Sequence, residues 1–173
     1  MRSDAELIDA VLSGQREVFV DLVHRYEDAV RATTLAIVRN HHTAQDLTQD
    51  TFVAAYEKLG SLRDGSAFGA WLIQIARRRA VNAVERTPRT EPFDAHETAG
   101  VPRDGRLDEA SGDLLAAVMR LPEHERTVVM LNYFAGHKLS DIAEMTGRPL
   151  GTVTTQLTRA RDRLRGWLKE LEP

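Results

Sequence analysis

The chain contains no cysteine, which excludes disulfides, thiolate metal centres and cysteine nucleophiles together. Lysine is nearly absent too, 3 residues against 20 arginines, a ratio that points to a GC-rich genome rather than to a mechanism. No apolar run approaches the roughly 20 residues that cross a bilayer, so no membrane insertion is expected. The opening MRSDAELIDA places acids where a signal peptide needs a long apolar stretch; a cytoplasmic protein is the expectation. Strand-like alternation is missing, and helical periodicity takes its place. No nucleophile–base pair, phosphate loop or metal-spaced cluster is seen. That leaves no catalytic residue, no metal ligand and no cofactor to assign, and the chain reads as a non-enzyme.

What is present is 173 residues of ordinary hydrophobic content, 42%, enough for one domain or two small ones. Net charge is −3, which alone argues against nucleic-acid binding. Its distribution argues for it. Residues 68–90 carry 5 basic and 1 acidic group, and residues 148–173 carry 6 and 3. Between them, residues 91–125 carry 3 basic and 9 acidic groups. Local islands count for more than the total because attraction to phosphate is screened beyond about 10 Å.

Apolar spacing predicts helices over 4–12, 17–38, about 43–59 and about 67–86, with Asn40 as a stop for the second. Thr43 is the expected cap of the third, with Asp46 in a capping-box-like position. Thr87–Ala110 then has linker composition: 3 prolines, 2 glycines and 6 acids in 24 residues. Fully extended it spans about 80 Å. Helical patterning resumes near Gly112, with further helices from Pro122, from a Ser140 cap to Gly147, and from 149–152 onward through Leu164, Trp167 and Leu171. The fold class is therefore all-α: two small helical domains, 1–86 and 111–173, joined by a flexible acidic linker, 87–110.

Leu139–Arg165 reads as a short helix, a tight turn at Gly147 and a longer helix, the arrangement of a DNA-binding helix-turn-helix. Thr152, Thr154, Thr155 and Gln156 crowd the start of the second helix, where hydroxyls and amides can meet phosphates and base edges. Arg159, Arg161, Arg163 and Arg165 add charge further along. The pattern L-S-x-I-A-x-x-x-G-x-P-x-G-T-V, followed by R-A-R-x-x-L-R and preceded by R-L-P-E-H-E-R at Arg120–Arg126, resembles the C-terminal domain of bacterial sigma factors of the extracytoplasmic-function type. The resemblance implies −35 promoter recognition by Thr152, Thr154, Thr155, Gln156 and Arg159. Where such proteins usually have lysine, serine and arginine after G-T-V, this chain has Thr154, Thr155 and Gln156.

The first domain is similar to the same family. A-Q-D-L-T-Q-D-T-F (Ala44–Phe52) resembles the segment that docks on the clamp of the polymerase's largest subunit. Helical geometry independently puts Asp46, Gln49 and Asp50 on one face, a match for a partner bearing arginines. A paired-carboxylate metal site with His41 or His42 is the alternative, and it lacks a third ligand. The helix Phe68–Arg86 resembles the family helix that meets the −10 element. Trp71, Arg78 and Asn82 form a stripe there, suited to an unstacked base and its phosphate. Arg77 and Phe68 lie on the same helix, and the loop with Ser61, Arg63 and Asp64 resembles the place where a flipped −10 base is held.

The resemblance implies a sigma factor that gives RNA polymerase its promoter specificity, with promoter DNA, the polymerase clamp and a flap of the second-largest subunit as partners. An anti-sigma factor is a further partner common in the family, and nothing in the sequence encodes one. The rival from another class is a dimeric helix-turn-helix regulator, which leaves the Asp46–Gln49–Asp50 face unexplained. A last expectation is that acidic surface masks the basic islands in the free protein by contact between the domains.

Overall fold

The computed structural model describes residues 2–86 and 109–169; the expected linker falls almost entirely outside them, as does Leu171. Eight α-helices are present among the described residues, and no strand. They are α1 (Asp4–Leu12), α2 (Phe19–Val38), α3 (His41–Lys58), α4 (Phe68–Arg86), α5 (Glu109–Arg120), α6 (Glu123–Val129), α7 (Leu139–Thr146) and α8 (Leu150–Lys169).

Local chemistry sets most of the boundaries. Ser3 and Glu6 form a reciprocal capping box at the start of α1, satisfying two amides that the helix cannot pair itself. The turn between α2 and α3 departs from the expectation. Arg39, at φ 57°, takes the left-handed position that ends α2, and Asn40 is extended and caps α3, its Oδ1 accepting from the Thr43 amide at 2.9 Å. Asparagine suits either role, so the sequence signal is ambiguous by its nature. Ser140 is likewise not a cap: α7 starts after Lys138, and the Ser140 hydroxyl donates to Asp141 Oδ1. A π-helical turn, Met130–Phe134, extends α6.

α2 is the central strut. Its last residues, Ala32 through Ile37, are all buried, although six consecutive positions cannot share one apolar stripe. The reason is that α2 packs on α3 and α4 on one side, and on α6 and the π turn on the other. A single apolar core therefore runs from Leu7, Leu22, Leu35, Phe68 and Leu72 into Leu115, Met119, Leu131 and Ile142. Arg126, 5% exposed, ties the halves together. Its Nε donates to the Ala36 carbonyl and its Nη1 to the carbonyls of Met119 and Leu121 at 2.8 and 2.9 Å. Those acceptors lie at or just past the ends of α2 and α5, where helical carbonyls lack intrahelical partners and cations are favoured. Arg77 and Glu123 add an ion pair at 3.1 Å between α4 and α6.

Candidate polymerase and nucleic-acid interfaces

On α3, Asp46, Gln49 and Asp50 are all exposed, while Ala44, Thr51, Ala54 and Ala55 turn inward. The polar face is thus held on a helix whose back is anchored in the core. Asp50 Oδ2 lies 3.8 Å from Arg79 Nη1, a loose surface pair that leaves the carboxylate accessible. Two neighbours escaped the sequence reading. Val53 is 58% exposed and Tyr56 38%, and both continue the same side of α3 at helical spacing from Asp46 and Asp50. The signal was there, in apolar residues three and six positions beyond Asp50. No group of three or more His, Asp or Glu side chains close enough to hold a metal exists among the described residues, so the alternative of a metal site near His41 or His42 finds no support.

The loop before α4 is braced by packing. A Cβ on Gly65 would lie 2.7 Å from the Ala5 Cα, so only glycine lets this loop sit against α1. Ser61 and Arg63 are exposed. Asp64 is committed to structure: its Oδ1 accepts from the Ser66 hydroxyl at 2.6 Å and the Ser66 amide at 2.9 Å, and these two bonds hold its carboxyl below the usual carboxylate range. On α4 the expected residues separate. Phe68 is fully buried, with its ring 5.5 Å from Tyr26 and 6.0 Å from Trp71; it is a core residue, which corrects its assignment to a DNA-facing set. Trp71 is half-buried, packing against the core while keeping part of its ring accessible. Arg78 and Asn82 are exposed, and Arg77 is exposed but held by Glu123.

In the second domain Ile142 of α7 and Val153, Leu157 and Ala160 of α8 are buried and let the two helices cross. Gly147 makes the turn at φ 66°, and the Arg148 amide donates back to the Ala143 carbonyl at 3.0 Å. Thr152, Thr154, Thr155 and Arg159 are exposed, and Gln156 is half-buried, its Oε1 accepting from Arg148 Nη1 at 3.3 Å. Burial, and then the neighbouring Arg77, hold the Arg148 guanidinium below its ordinary value. The later arginines are exposed and also have partners within the domain. Arg161 donates to the Tyr133 hydroxyl at 2.7 Å, Arg163 pairs with the buried Glu125 at 3.1 Å, and Arg165 lies 3.4 Å from Asp162.

A family sequence model described as Sigma-70 region 2 matches residues 22–90, and one described as Sigma-70, region 4 matches residues 111–164. The chain belongs to the extracytoplasmic-function group of the sigma-70 family. It is 29% identical over 180 residues to the sigma factor SigW of Bacillus subtilis, covering 95% of this chain and 96% of that one. It is 31% identical to the sigma-H factor of Pseudomonas aeruginosa, covering 92% and 90%. Among solved structures it resembles the sigma factor RpoE of Bartonella quintana, solved with the anti-sigma factor NepR, at a TM-score of 0.63, 27% identity and coverage of 87% and 96%. CnrH, solved with the cytosolic domain of CnrY, shares the fold at a TM-score of 0.72 with 23% identity over 98% and 99% of the two chains. As a sigma factor the chain confers promoter specificity on RNA polymerase. The family is one of DNA-binding transcription factors, not of enzymes. No helix among the described residues is long and apolar enough to cross a membrane.

Proposed function

We propose that the first domain docks on the polymerase clamp through Asp46, Gln49 and Asp50 and opens the −10 element with Trp71, Arg78 and Asn82, while α8 reads the −35 duplex through Thr152, Thr154, Thr155, Gln156 and Arg159. Ser61 and Arg63 line the loop side of the −10 site, Asp64 holds that loop's shape, and Arg77 reaches the DNA once released from Glu123. The observation that carries the reading is the exposed acidic face of α3 on a core-anchored helix, beside an α4 that carries exposed cations. A helix-turn-helix alone would need neither.

The packed arrangement cannot serve both elements at once. α4 touches α7 and α7 touches α8, so the two DNA-facing helices lie about 20 Å apart at 8–10 Å per helix contact. A spacer of about 17 base pairs is about 60 Å long at 3.4 Å per pair. The domains therefore separate on polymerase, which the roughly 80 Å reach of residues 87–110 permits. The closed form is the state the free protein adopts, and an anti-sigma partner, as seen with the Bartonella quintana relative, would act by retaining the protein away from polymerase. The second domain rests on the flap of the second-largest subunit, and the chain works in the cytoplasm. Run-off transcription with purified core polymerase tests the reading. Initiation dependent on both this protein and a −10 sequence is expected. Duplex binding as a dimer, without core association, would replace it by the regulator reading.

A further inference from the structure

The exposed face of α8 is chemically unusual for a helix offered to DNA. Leu150, Gly151, Thr154, Thr155 and Thr158 fall within about 140° of arc at 100° per residue, and all are exposed, Leu150 at 51%. None carries a charge; the charged residues on the same arc, Arg161, Asp162 and Arg165, come only from the fourth turn of the helix onward. The three threonine hydroxyls are also already used as donors: Thr154 Oγ1 donates to the Leu150 carbonyl at 2.9 Å, Thr155 to Gly151 at 2.8 Å and Thr158 to Thr154 at 3.0 Å. This back-bonding to the carbonyl four residues earlier leaves each threonine oxygen only its lone pairs. The γ-methyl groups complete the outward surface beside the Leu150 side chain. At Gly151, on the same arc, a Cβ would meet nothing within 4 Å, so base edges can approach the backbone closely.

Over residues 150–158 the side chains of this arc thus offer methyls and acceptors. In the major groove guanine presents only acceptors, N7 and O6, while thymine presents a C5-methyl and adenine an N6 donor. Guanine therefore finds no side-chain donor among Leu150, Thr154, Thr155 and Thr158, whereas an A·T pair supplies both a methyl for apolar contact and a donor for a threonine oxygen. Gln156, off this arc, has its oxygen engaged by Arg148, and its amide N–H groups serve a different position. Arg159 lies at the edge of the arc, one turn beyond Thr155, where it can meet a phosphate.

We infer that α8 selects its −35 element by contact between Leu150, Thr154, Thr155 and Thr158 and thymine C5-methyl groups, favouring A·T pairs over G·C at the positions it reads. Thr158 and Leu150 thereby join the specificity-determining residues. The inference rests on α8 being the −35 reader and goes beyond it in naming what is read.

The test uses full-length protein with core polymerase. Holoenzyme-binding promoters are selected from a pool randomised in the −35 region, and each thymine of a selected −35 element is then replaced by deoxyuracil, which removes only the C5-methyl. The expected result is enrichment of A·T pairs and a loss of about fourfold in holoenzyme affinity for each contacted methyl, the worth of one buried carbon. Thr155→Ser, which keeps the hydroxyl and its backbone bond but lacks the methyl, should reduce the response to one of these replacements, and Thr158→Ser to another. Selected elements read through guanine, indifference to deoxyuracil, or binding with no −35 preference would each overturn the inference while leaving polymerase-dependent initiation intact. Absence of any holoenzyme would instead overturn the sigma-factor assignment of the faces, and this inference with it.

Discussion

In α4 the cations stand at the surface with surface partners: Arg77 on Glu123, Arg79 on Asp50, and Arg78 exposed. In α8 Arg161, Arg163 and Arg165 are likewise exposed with partners, Tyr133, Glu125 and Asp162, but the face proposed to read DNA is neutral over residues 150–158. The two proposed contacts therefore differ in the charge of the residues placed toward DNA, not in the exposure of their arginines. Exposed arginines release counterions when they meet phosphate, which gives affinity and a steep salt dependence. Neutral groups at base edges give discrimination with a shallow one. Affinity is assigned to the first domain and discrimination to the second, and tethering both to one polymerase raises the effective concentration of the weaker binder.

The largest expected effect would separate polymerase docking from everything else. Asp50→Lys should cut affinity for core polymerase at least about thirtyfold, since reversing a charge in a complementary interface costs 2 kcal/mol or more. Unfolding free energy should stay within about 0.5 kcal/mol of wild type, as for other exposed substitutions. Co-purification and urea titration measure the two. Undiminished core binding by the folded variant would remove α3 from the interface and with it the contrast between the domains.

Next comes the tie between the halves. Arg126→Met leaves up to three carbonyls at helix ends without their donor. A loss of about 2–4 kcal/mol is expected from chemical denaturation, given 1–3 kcal/mol per buried unpaired group with partial relaxation. Scattering should show a more extended particle if Arg126 holds the domains together; an unchanged profile would assign it to the second domain alone.

How much of this was legible beforehand follows from the range of each interaction. Capping, periodicity and turn signals are local, so all eight helix cores and the Gly147 turn could be placed from sequence, and Asn40 failed only because one residue type serves both helix ends. The α3 face was legible for the same reason, since helical spacing fixes it. Phe68 was misassigned because position on a helix does not tell which aromatic meets the core; Tyr26, 42 residues earlier, decides that. The partners of the α8 arginines, Tyr133 and Glu125, were not legible because they lie outside the helix. Packing of the domains against each other was expected on grounds of charge. Charge contributes the Arg77–Glu123 pair, but most of the contact is apolar core and the Arg126 bonds.

Smaller effects sharpen the division of labour at the DNA. Trp71→Ala should slow promoter opening by roughly five- to a hundredfold, matching the 1–3 kcal/mol that base–aromatic stacking contributes, with permanganate reactivity of unpaired thymines as the readout. Thr155→Ala should leave opening nearly unchanged and relax preference within the −35 element. The reverse pattern would exchange the roles of the two helices.

The smallest expected effect concerns pH and the cleft between the domains. His137 is half-buried there, in a cavity lined by Arg25, Tyr26, Ser66 and Gly69 of the first domain and by Asp141, Glu144 and Met145 of the second. Desolvation holds its imidazole below the ordinary value of 6.5, with Asp141 and Asp28 acting in the opposite direction. A histidine whose pKa is lower folded than unfolded binds more protons when unfolded. Stability therefore falls as pH drops through the unfolded value near 6.5 and levels off below the folded one. Acidification from pH 7 to 5.5 should thus weaken the closed arrangement, read as a lower denaturation midpoint and a larger radius of gyration at the same salt. His137→Asn keeps a neutral side chain at the site and should flatten that slope while leaving any carboxylate-driven change at lower pH. Identical pH profiles for the two proteins would show that the cleft closes without help from a neutral His137, and that the packing of the domains is set by the Arg126 bonds and the apolar core alone.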